Sequence, residues 1–331
     1  MKILITGAAG GIGSSLGYYL HKHGHTLTLI DNFRNGYREN LYVDGKMFGD
    51  FRELDIRSTN LNEKLDCTYD CIIHLAAITS LPDCELNKTE AIDINVNGTL
   101  NVLEFARNIN CPNVIFSSTS AVYENNVEDT FAENLIVTPS LFYSLSKKMA
   151  EDICVSYNHH YGMNVCILRL FNVFGPRQDI HRKNPPLINY IAKQIKNCNT
   201  VCLHGTGEQR RDYIHVDDVL RLIGLCLEKN PKGIYNVCTG TMLSVNEIFS
   251  IISKEYKYVL EPKYNPPSML WDTYPELFDG PLCLNKRVVE KETNKYSKGS
   301  CEKTKNELDW QPNTNLYDLI GKTAREIYEI Q

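Results

Sequence analysis

The chain has no apolar run that approaches the roughly 20 residues of a membrane-spanning helix. It also has no run of lysine and arginine, and its net charge of −5 gives no argument for a nucleic-acid or membrane-surface partner. The first residues already read as a core strand, so no signal or transit peptide fits. Together these absences predict a cytoplasmic, globular protein without nucleic-acid or membrane partners.

Cysteine pairs of the Cys-x-x-Cys type are absent as well, although the chain contains 12 cysteines. Cys67 and Cys71, like Cys198 and Cys202, are separated by three residues and lack partner histidines. Scattered cysteines of this kind are typical of free thiols in a reducing compartment rather than of disulfides or zinc ligands. We therefore predict no metal site.

The N-terminus carries the pattern of a pyrophosphate-binding turn. Ile3–Ile5 predict a short buried strand, residues 14–20 predict a helix, and Gly7, Gly10 and Gly13 punctuate the turn between them. Glycines let the backbone approach a ligand, and a helix N-terminus supplies free N–H groups and the positive end of its dipole. A glycine pattern alone is a weak signal, but the flanking strand and helix favour a dinucleotide site.

An acidic residue ends the second predicted strand, residues 26–30. Asp31 lies about 20 residues beyond the glycines, where a carboxylate can accept both ribose hydroxyls of adenosine and repel a 2′-phosphate. This position predicts NAD rather than NADP as the cofactor. Arg34, which lies nearby, is the residue that would favour NADP instead.

Predicted strands and helices alternate through the first half of the chain, and 331 residues suffice for a core domain with a smaller lobe. The alternation predicts an α/β fold with a doubly wound parallel Rossmann sheet, with ligands at the C-terminal edge of the strands. The predicted elements are strands at 51–55, 71–77, 113–118 and 164–169 and helices at 91–108 and 140–161.

The regular alternation of predicted strands and helices ends after residue 176. The segment 206–240 reads as a return to the main sheet, whereas 259–299 is irregular and rich in proline. We therefore predict an NAD-binding Rossmann domain of residues 1–176 with 206–240, and a smaller C-terminal substrate-binding lobe of residues 177–205 and 241–331.

Tyr143 and Lys147 lie one turn apart on the predicted helix 140–161, so their side chains share a face. An unperturbed tyrosine has a pKa of about 10 and needs a lower pKa to act as a base near neutral pH. We expect the Lys147 ammonium, about 4 Å away, to lower it. Such a pair alone is more often a solvated helix face, but its place after the dinucleotide turn favours a general base.

Other polar residues follow predicted strands. Ser117–Ser120 offer hydroxyls that can bond a reacting oxygen and relay its proton, or else cap the next segment. Arg210 and Arg211 stand in a glycine-bearing turn, where a guanidinium can bind a diphosphate, although Arg210 can equally pair with nearby Asp212. Asn172 can present its amide at the same edge.

Taken together and in this order, the motifs resemble the extended short-chain dehydrogenase/reductases, in particular the nucleotide-sugar epimerases and dehydratases. The likeness covers nearly the whole chain. The segments that carry it are Thr6–Gly13, Asp31–Phe33, Asp55–Ile56, His74–Ala77, Asn95–Gly98, Phe116–Tyr123, Tyr143 with Lys147, Leu168–Arg177, Arg211–Asp217, Tyr235–Val237 and Leu308–Trp310.

The resemblance implies roles for individual residues. It implies that Tyr143 is the general base, that Lys147 holds the nicotinamide ribose and that Thr119 is the catalytic hydroxyl. It implies cofactor contacts from Gly7, Gly10, Gly11, Ile12, Gly13, Asp31, Asn32, Phe33, Asn35, Asp55, Ile56, Leu75, Ala76, Ala77, Asn95, Ser117, Tyr143 and Lys147. It implies contacts with a nucleotide-diphosphate sugar from Thr79, Thr119, Asn172, Arg211 and Arg287, and it implies a homodimer.

Departures from the family pattern reduce the number of reactions that the resemblance allows. The dehydratases carry two acids after the threonine, and the decarboxylases carry a glutamate where Ala121 stands, so Ser120 and Ala121 disfavour both. Glu124 replaces the usual glycine. The resemblance therefore implies an NAD-dependent 4-epimerase of carbohydrate biosynthesis, with a C4 dehydrogenase that releases a 4-keto sugar as the alternative. A non-catalytic NAD-binding protein on the same fold is a third reading.

Overall fold

The computed structural model describes residues 1–329 of the chain. The strands are β1 (Lys2–Thr6), β2 (Thr26–Asp31), β3 (Tyr42–Val43), β4 (Lys46–Met47), β5 (Asp50–Glu53), β6 (Cys71–His74), β7 (Asn113–Thr119), β8 (Asn164–Leu170), β9 (Asn172–Phe174), β10 (Cys202–His204), β11 (Arg210–His215), β12 (Gly233–Val237), β13 (Met242–Ser244) and β14 (Lys263–Asn265). The α-helices are α1 (Gly11–Lys22), α2 (Leu61–Lys64), α3 (Leu81–Leu86), α4 (Lys88–Ile92), α5 (Gly98–Asn108), α6 (Phe142–His160), α7 (Leu187–Lys196), α8 (Val216–Lys229), α9 (Val245–Tyr256), α10 (Lys286–Asn294), α11 (Glu302–Leu308) and α12 (Leu316–Glu329).

A seven-stranded sheet forms the centre of the molecule in the order β12-β8-β7-β6-β1-β2-β5, and all its pairings are parallel. Its central strands are apolar on both faces, as Ile3, Leu4 and Ile5 show, because helices cover both sides. The chain runs outward from β1 through β2 and β5 and then returns to β6. This reversal between β1 and β6 makes the doubly wound fold predicted from the sequence, and it marks the place where such sheets bind ligands.

The predicted helix 91–108 is interrupted in the structure. After α4 the chain makes one π-helical stretch, Asp93–Asn97, before α5 begins. A Cβ atom at Gly98 would lie 2.5 Å from the side chain of Ile56, so the start of α5 packs closely on that neighbour. The amide side chain of Asn95 in this stretch bonds to the backbone of Ile78. Tertiary contacts therefore decide a helix irregularity that the apolar spacing did not indicate.

A second core lies under the C-terminal part of the chain. Helices α7, α9 and α12 pack together, with Ile191, Ile248 and Ile320 fully buried. The three-stranded sheet β13-β11-β9 lies beside it, whereas β12 pairs with β8 in the main sheet. On this arrangement we propose the domain boundary near residue 176, with 206–240 on the Rossmann side. Within residues 1–329 no helix has both the length and the apolar character needed to cross a bilayer.

Candidate active site

Two adjoining cavities open at the C-terminal edge of the main sheet. The first, which we call the glycine-turn cavity, has a volume of about 360 Å³ and is lined by the turn after β1 and by the ends of β2, β6 and β7. The second, the lobe cavity, has a volume of about 580 Å³ and lies between that edge and the C-terminal lobe. Both cavities are lined by Thr79, Thr119, Tyr143 and Arg182, so these residues mark their junction.

Most of the residues that the sequence assigned to a dinucleotide lie around the glycine-turn cavity. Those that line it are Gly7, Gly10, Gly11, Ile12, Gly13, Asp31, Asn32, Asn35, Asp55, Ile56, Leu75, Ala76, Ala77, Ser117, Tyr143 and Lys147. Thr79 and Thr119 line both cavities, and Asn172 and Arg211 line the lobe cavity.

The turn after β1 leaves no room for side chains. A Cβ atom at Gly13 would lie 2.1 Å from the carbonyl oxygen of Gly7, and one at Gly7 would lie 2.7 Å from the amide nitrogen of Ala76. Gly7 also has a positive φ of 69°, which favours glycine. The N-cap of α1 is Gly10, so no side chain covers the first N–H groups of that helix. This bare helix end fits the pyrophosphate of NAD.

Asp31 is held at the rim of the same cavity. Its carboxylate accepts hydrogen bonds from the backbone N–H of Ala9 at 3.0 Å and of Phe33 at 2.8 Å. Burial raises the pKa of Asp31, and these backbone bonds oppose that rise. The carboxylate retains acceptor capacity for the ribose hydroxyls of a dinucleotide.

Asp55 lines the cavity as an ion-paired residue. Its carboxylate accepts hydrogen bonds from the Asn32 amide at 2.8 Å and from Arg57 at 2.7 Å. The hydrogen bond from Arg57 is the largest cause that lowers the pKa of Asp55, to about 2.

Three of the predicted site residues, Phe33, Asn95 and Arg287, line neither of the two cavities. The ring of Phe33 packs on Phe51, with centroids 5.1 Å apart, and only its N–H reaches Asp31. Asn95 is 1% exposed and uses its amide on Ile78 and Ser146, so it braces the site from behind. Arg287 is exposed on α10, outside both cavity linings, because α10 presents Val289 rather than Arg287 to the core.

Tyr143 and Thr119 both line the junction, and the hydroxyl of Thr119 lies near enough to the phenol to act on its pKa. Thr119 accepts a hydrogen bond from the N–H of Ala121 at 3.1 Å, so its own proton is free to point at the phenolic oxygen. Burial raises the pKa of Tyr143 to about 12, and the hydroxyl of Thr119 and the charge of Arg182 oppose the rise.

Lys147 is not among the groups that lower the pKa of Tyr143, so that expectation is wrong for the protein alone. The two residues do line the same cavity. However, the ammonium of Lys147 lies 4.2 Å from the centre of the Phe116 ring, and the side chain is 2% exposed. Burial lowers the pKa of Lys147 to about 8. Tyr143 and Lys147 share a helix face, but this does not bring the ends of their side chains together, because the ammonium of Lys147 packs on Phe116 instead.

Two buried carboxylates anchor the first turn of α6, the helix that carries Tyr143. Glu124 accepts hydrogen bonds from the N–H of Leu141 at 2.8 Å and from the hydroxyls of Ser140 and Ser144. Glu85 accepts the N–H of Phe142 at 2.7 Å. These bonds satisfy donors at a helix start that has no capping side chain of its own. Glu124, which replaces the family's glycine, therefore connects the segment after Thr119 to the helix that carries Tyr143.

The lobe cavity contains charged residues that the sequence analysis missed. Arg211 donates to the backbone carbonyl of Glu292 and lies 3.7 Å from its carboxylate. The ammonium of Lys295 lies 3.7 Å from the same carboxylate. Glu292 and Lys295 belong to the irregular stretch 259–299, where no periodicity indicated which side chains face inward. Asn172 donates to the carbonyl of Asp212 at 2.8 Å.

Comparison with known proteins identifies a family, a similar relative and two similar solved structures. Residues 3–238 match the model of the NAD dependent epimerase/dehydratase family. A putative UDP-glucose 4-epimerase of Methanocaldococcus jannaschii is 34% identical over 267 residues, which is 80% of this chain and 86% of the relative.

Two solved structures are also similar. A UDP-glucose 4-epimerase of Thermotoga maritima with UDP-glucose has a TM-score of 0.86 at 28% identity and covers 99% of each chain. A UDP-glucuronic acid 4-epimerase of Bacillus cereus, in complex with UDP-glucuronic acid and NAD, has a TM-score of 0.83 at 25% identity and covers 100% of each chain.

Proposed function

The chain belongs to the NAD dependent epimerase/dehydratase family, and from this membership we propose that it inverts the configuration at C4 of a nucleoside-diphosphate sugar. It is an NAD-dependent enzyme with a Rossmann fold. The observation that supports the C4 assignment most directly is the position of Tyr143 and Thr119, which both line the junction of the two cavities, with the Thr119 hydroxyl near enough to lower the pKa of Tyr143. A sugar that extends from the lobe cavity would meet a dinucleotide at this point.

In the proposed reaction, the phenolic oxygen of Tyr143 takes the proton of the C4 hydroxyl and later returns it. Thr119 donates its hydrogen bond to that oxygen and stabilises the charge that develops there. Lys147, buried beside the same cavity, is proposed to hold a ribose hydroxyl of the cofactor. NAD, when bound, supplies the acceptor and donor of the C4 hydride. The protein's own part is to orient the sugar and to move this proton.

In the lobe cavity, Arg211 and Asn172 are proposed to bind the diphosphate. A planar guanidinium matches two phosphate oxygens, and an amide adds a neutral donor. Lys295 adds a second cation on the opposite side of Glu292, in the role for which the sequence suggested Arg287. A homodimer remains a prediction of the family resemblance. Leu100 on α5 and Met149 on α6 are each 39% exposed and would lie on its interface.

The proposal is tested with purified protein, NAD and a panel of nucleotide sugars. We expect interconversion of C4 epimers, seen by proton NMR, with no net NADH absorbance at 340 nm. Accumulating NADH with a released 4-keto sugar would show a C4 dehydrogenase instead. Loss of water would show a dehydratase, which the absence of acids at Ser120 and Ala121 disfavours. Failure to convert any sugar, in protein that binds NAD, would refute the enzymatic proposal.

The shifted pKa of Tyr143 predicts a pH dependence. Because the base form is the phenolate and burial raises its pKa above the usual value of about 10, kcat/KM should rise with pH from 6 upward. Thr119→Val removes a hydrogen bond to the charged form, worth about 1.5–3 kcal/mol. The midpoint of the kcat/KM profile of this variant should therefore move to higher pH by about one to two units.

The control for this pH profile is Ser120→Ala, which removes a neighbouring hydroxyl that lines only the lobe cavity. Its profile should match that of the wild type. A Thr119→Val profile with an unchanged midpoint would show that this hydroxyl does not tune Tyr143.

A further inference from the structure

Arg34 is the cation at the Asp31 end of the glycine-turn cavity. Among the described residues, the cations that line this cavity are Arg34, Lys147 and Arg182. Lys147 lies one helical turn after Tyr143, and Arg182 lies at the junction with the lobe cavity. Arg34 instead follows Asp31 by three positions, and an arginine near this acid can bind the 2′-phosphate of NADP. Its position conflicts with an NAD site unless its guanidinium is already occupied.

The loop that carries Arg34 is held by the side chains that precede it. The carboxylate of Asp31 accepts the N–H of Phe33 at 2.8 Å, and the amide oxygen of Asn32 accepts the N–H of Arg34 at 3.2 Å. The amide nitrogen of Asn32 donates to the carboxylate of Asp55 at 2.8 Å. These bonds fix the backbone of Arg34 beside the cavity.

The guanidinium of Arg34 is paired with Glu90 on α4. Its Nε donates to one carboxylate oxygen at 3.2 Å and its Nη2 donates to the other at 2.8 Å, so the pair is bidentate. This pairing is the largest cause that lowers the pKa of Glu90. The two side chains are 28% and 35% exposed, and Glu90 is not part of the cavity lining. The planar fork that would bind a phosphate is therefore occupied by a carboxylate from outside the cavity.

The next arginine along this rim is occupied as well. Arg57 donates to Asp55 at 2.7 Å and lies 3.4 Å from Asp93. The carboxylates of Asp31 and Asp55 both line the cavity at this end. A phosphate monoester carries about two negative charges near neutral pH, and these acids repel it. A ribose hydroxyl, in contrast, can donate to the carboxylate of Asp31.

We propose that Glu90 is a specificity-determining residue for the cofactor: by pairing with Arg34, it keeps this guanidinium from binding a 2′-phosphate and thereby favours NAD over NADP. Glu90 adds to the direct discrimination by Asp31, which faces the cavity. Because partly exposed ion pairs are weak, Glu90 should change the preference severalfold, and Asp31 should account for the larger part. This inference rests on the use of NAD and not on the reaction at C4.

The experiment measures Kd for NAD and for NADP by calorimetric titration of the full chain, after any bound nucleotide has been removed. The wild type should bind NAD more tightly by about 100-fold or more, since Asp31 repels the 2′-phosphate. Glu90→Gln should lower the Kd for NADP by about fivefold and leave the Kd for NAD within about twofold. An unchanged ratio of the two constants in Glu90→Gln would overturn the inference.

Glu53→Gln is the matched control for the loss of one negative charge. Glu53 stands opposite Asp31 in the pairing of β2 with β5, and its carboxylate lies 3.0 Å from Arg38. Neither Glu53 nor Arg38 lines the glycine-turn cavity. The ratio of the two Kd values should therefore stay within about twofold of the wild type. A gain in NADP affinity equal to that of Glu90→Gln would show a general charge effect and overturn the role of Glu90.

The double variant Arg34→Gln/Glu90→Gln tests whether Glu90 acts through Arg34. If it does, the gain in NADP affinity of Glu90→Gln disappears once Arg34 is also replaced. A gain that persists would show that Glu90 repels the phosphate by its own charge, which would overturn the inference. Arg34→Gln alone should leave the Kd for NAD within about twofold, and a larger loss would show that Arg34 holds NAD itself.

The inference and the proposed function fail in different ways, because every readout here is a binding constant. A chain that discriminates against NADP through Glu90 and Arg34 but converts no sugar would support the inference and refute the C4 epimerase. A chain that epimerises sugars with NAD but binds NADP equally well in the wild type and in Glu90→Gln would do the reverse.

Discussion

Tyr143→Phe should lower kcat for C4 epimerisation by about 10²–10⁴-fold, the range for loss of a general acid–base group. The substitution removes only the hydroxyl of Tyr143 and keeps the ring that packs against the core. The melting temperature and the affinity for NAD should therefore stay close to those of the wild type. Activity is measured by NMR on the substrate identified above, and folding by circular dichroism.

Tyr161→Phe provides the matched control for this loss. Tyr161 follows the C-terminal end of the same helix and is 55% exposed. Its substitution should leave kcat unchanged. If Tyr143→Phe retained activity within about threefold of the wild type, the acid–base role of Tyr143 would be excluded, and the site would support nucleotide binding only.

Gly13→Ala is the second substitution with a large expected effect. The new Cβ would lie 2.1 Å from the carbonyl oxygen of Gly7 and 2.9 Å from the Cα of Ala8, and both are backbone atoms of the turn. The turn must open to admit it, and the N–H groups of α1 then lose their alignment on the pyrophosphate. We expect the Kd for NAD to rise about 100-fold or more, which corresponds to about 2.7 kcal/mol. The free energy of unfolding should fall by about 1–3 kcal/mol.

Gly224→Ala separates this steric effect from the general effect of the exchange. Gly224 lies inside α8, where a Cβ would meet the hydroxyl of Tyr19 at an ordinary 3.4 Å. Because alanine favours a helix by about 1 kcal/mol over glycine, this variant should be as stable as the wild type or slightly more so. Calorimetric titration with NAD and thermal melts measure both effects. Unchanged NAD affinity in Gly13→Ala would show that the turn does not bind the pyrophosphate.

Features encoded within short stretches were predictable from the sequence. The strand, glycine turn and helix at the N-terminus depend on residues within about 20 positions of one another, and the acid at Asp31 follows from the same unit. The parallel sheet follows from the alternation of elements, since it depends on connections rather than on individual contacts. Both the fold class and the family were confirmed.

Residues that reach the site from distant segments were not predictable in this way. Arg182 and Lys295 come from loops without periodicity, and only the packing of these loops on the sheet turns them inward. Glu124 was noticed as a departure, but its hydrogen bonds to Ser140, Leu141 and Ser144 appear only once the chain is folded. When two hydrogen-bonded side chains are more than 15 positions apart along the chain, the tertiary structure decides that they meet.

The sequence by itself determined the Rossmann scaffold, the preference for NAD and the helix that carries Tyr143 and Lys147, because each depends on local spacing. Only the tertiary structure decided what surrounds the phenol. It brought Thr119 and Arg182 near enough to act on the pKa of Tyr143 and placed the ammonium of Lys147 over the ring of Phe116. Electrostatic effects on a buried group depend on distance and burial, and neither quantity can be obtained from positions along a chain.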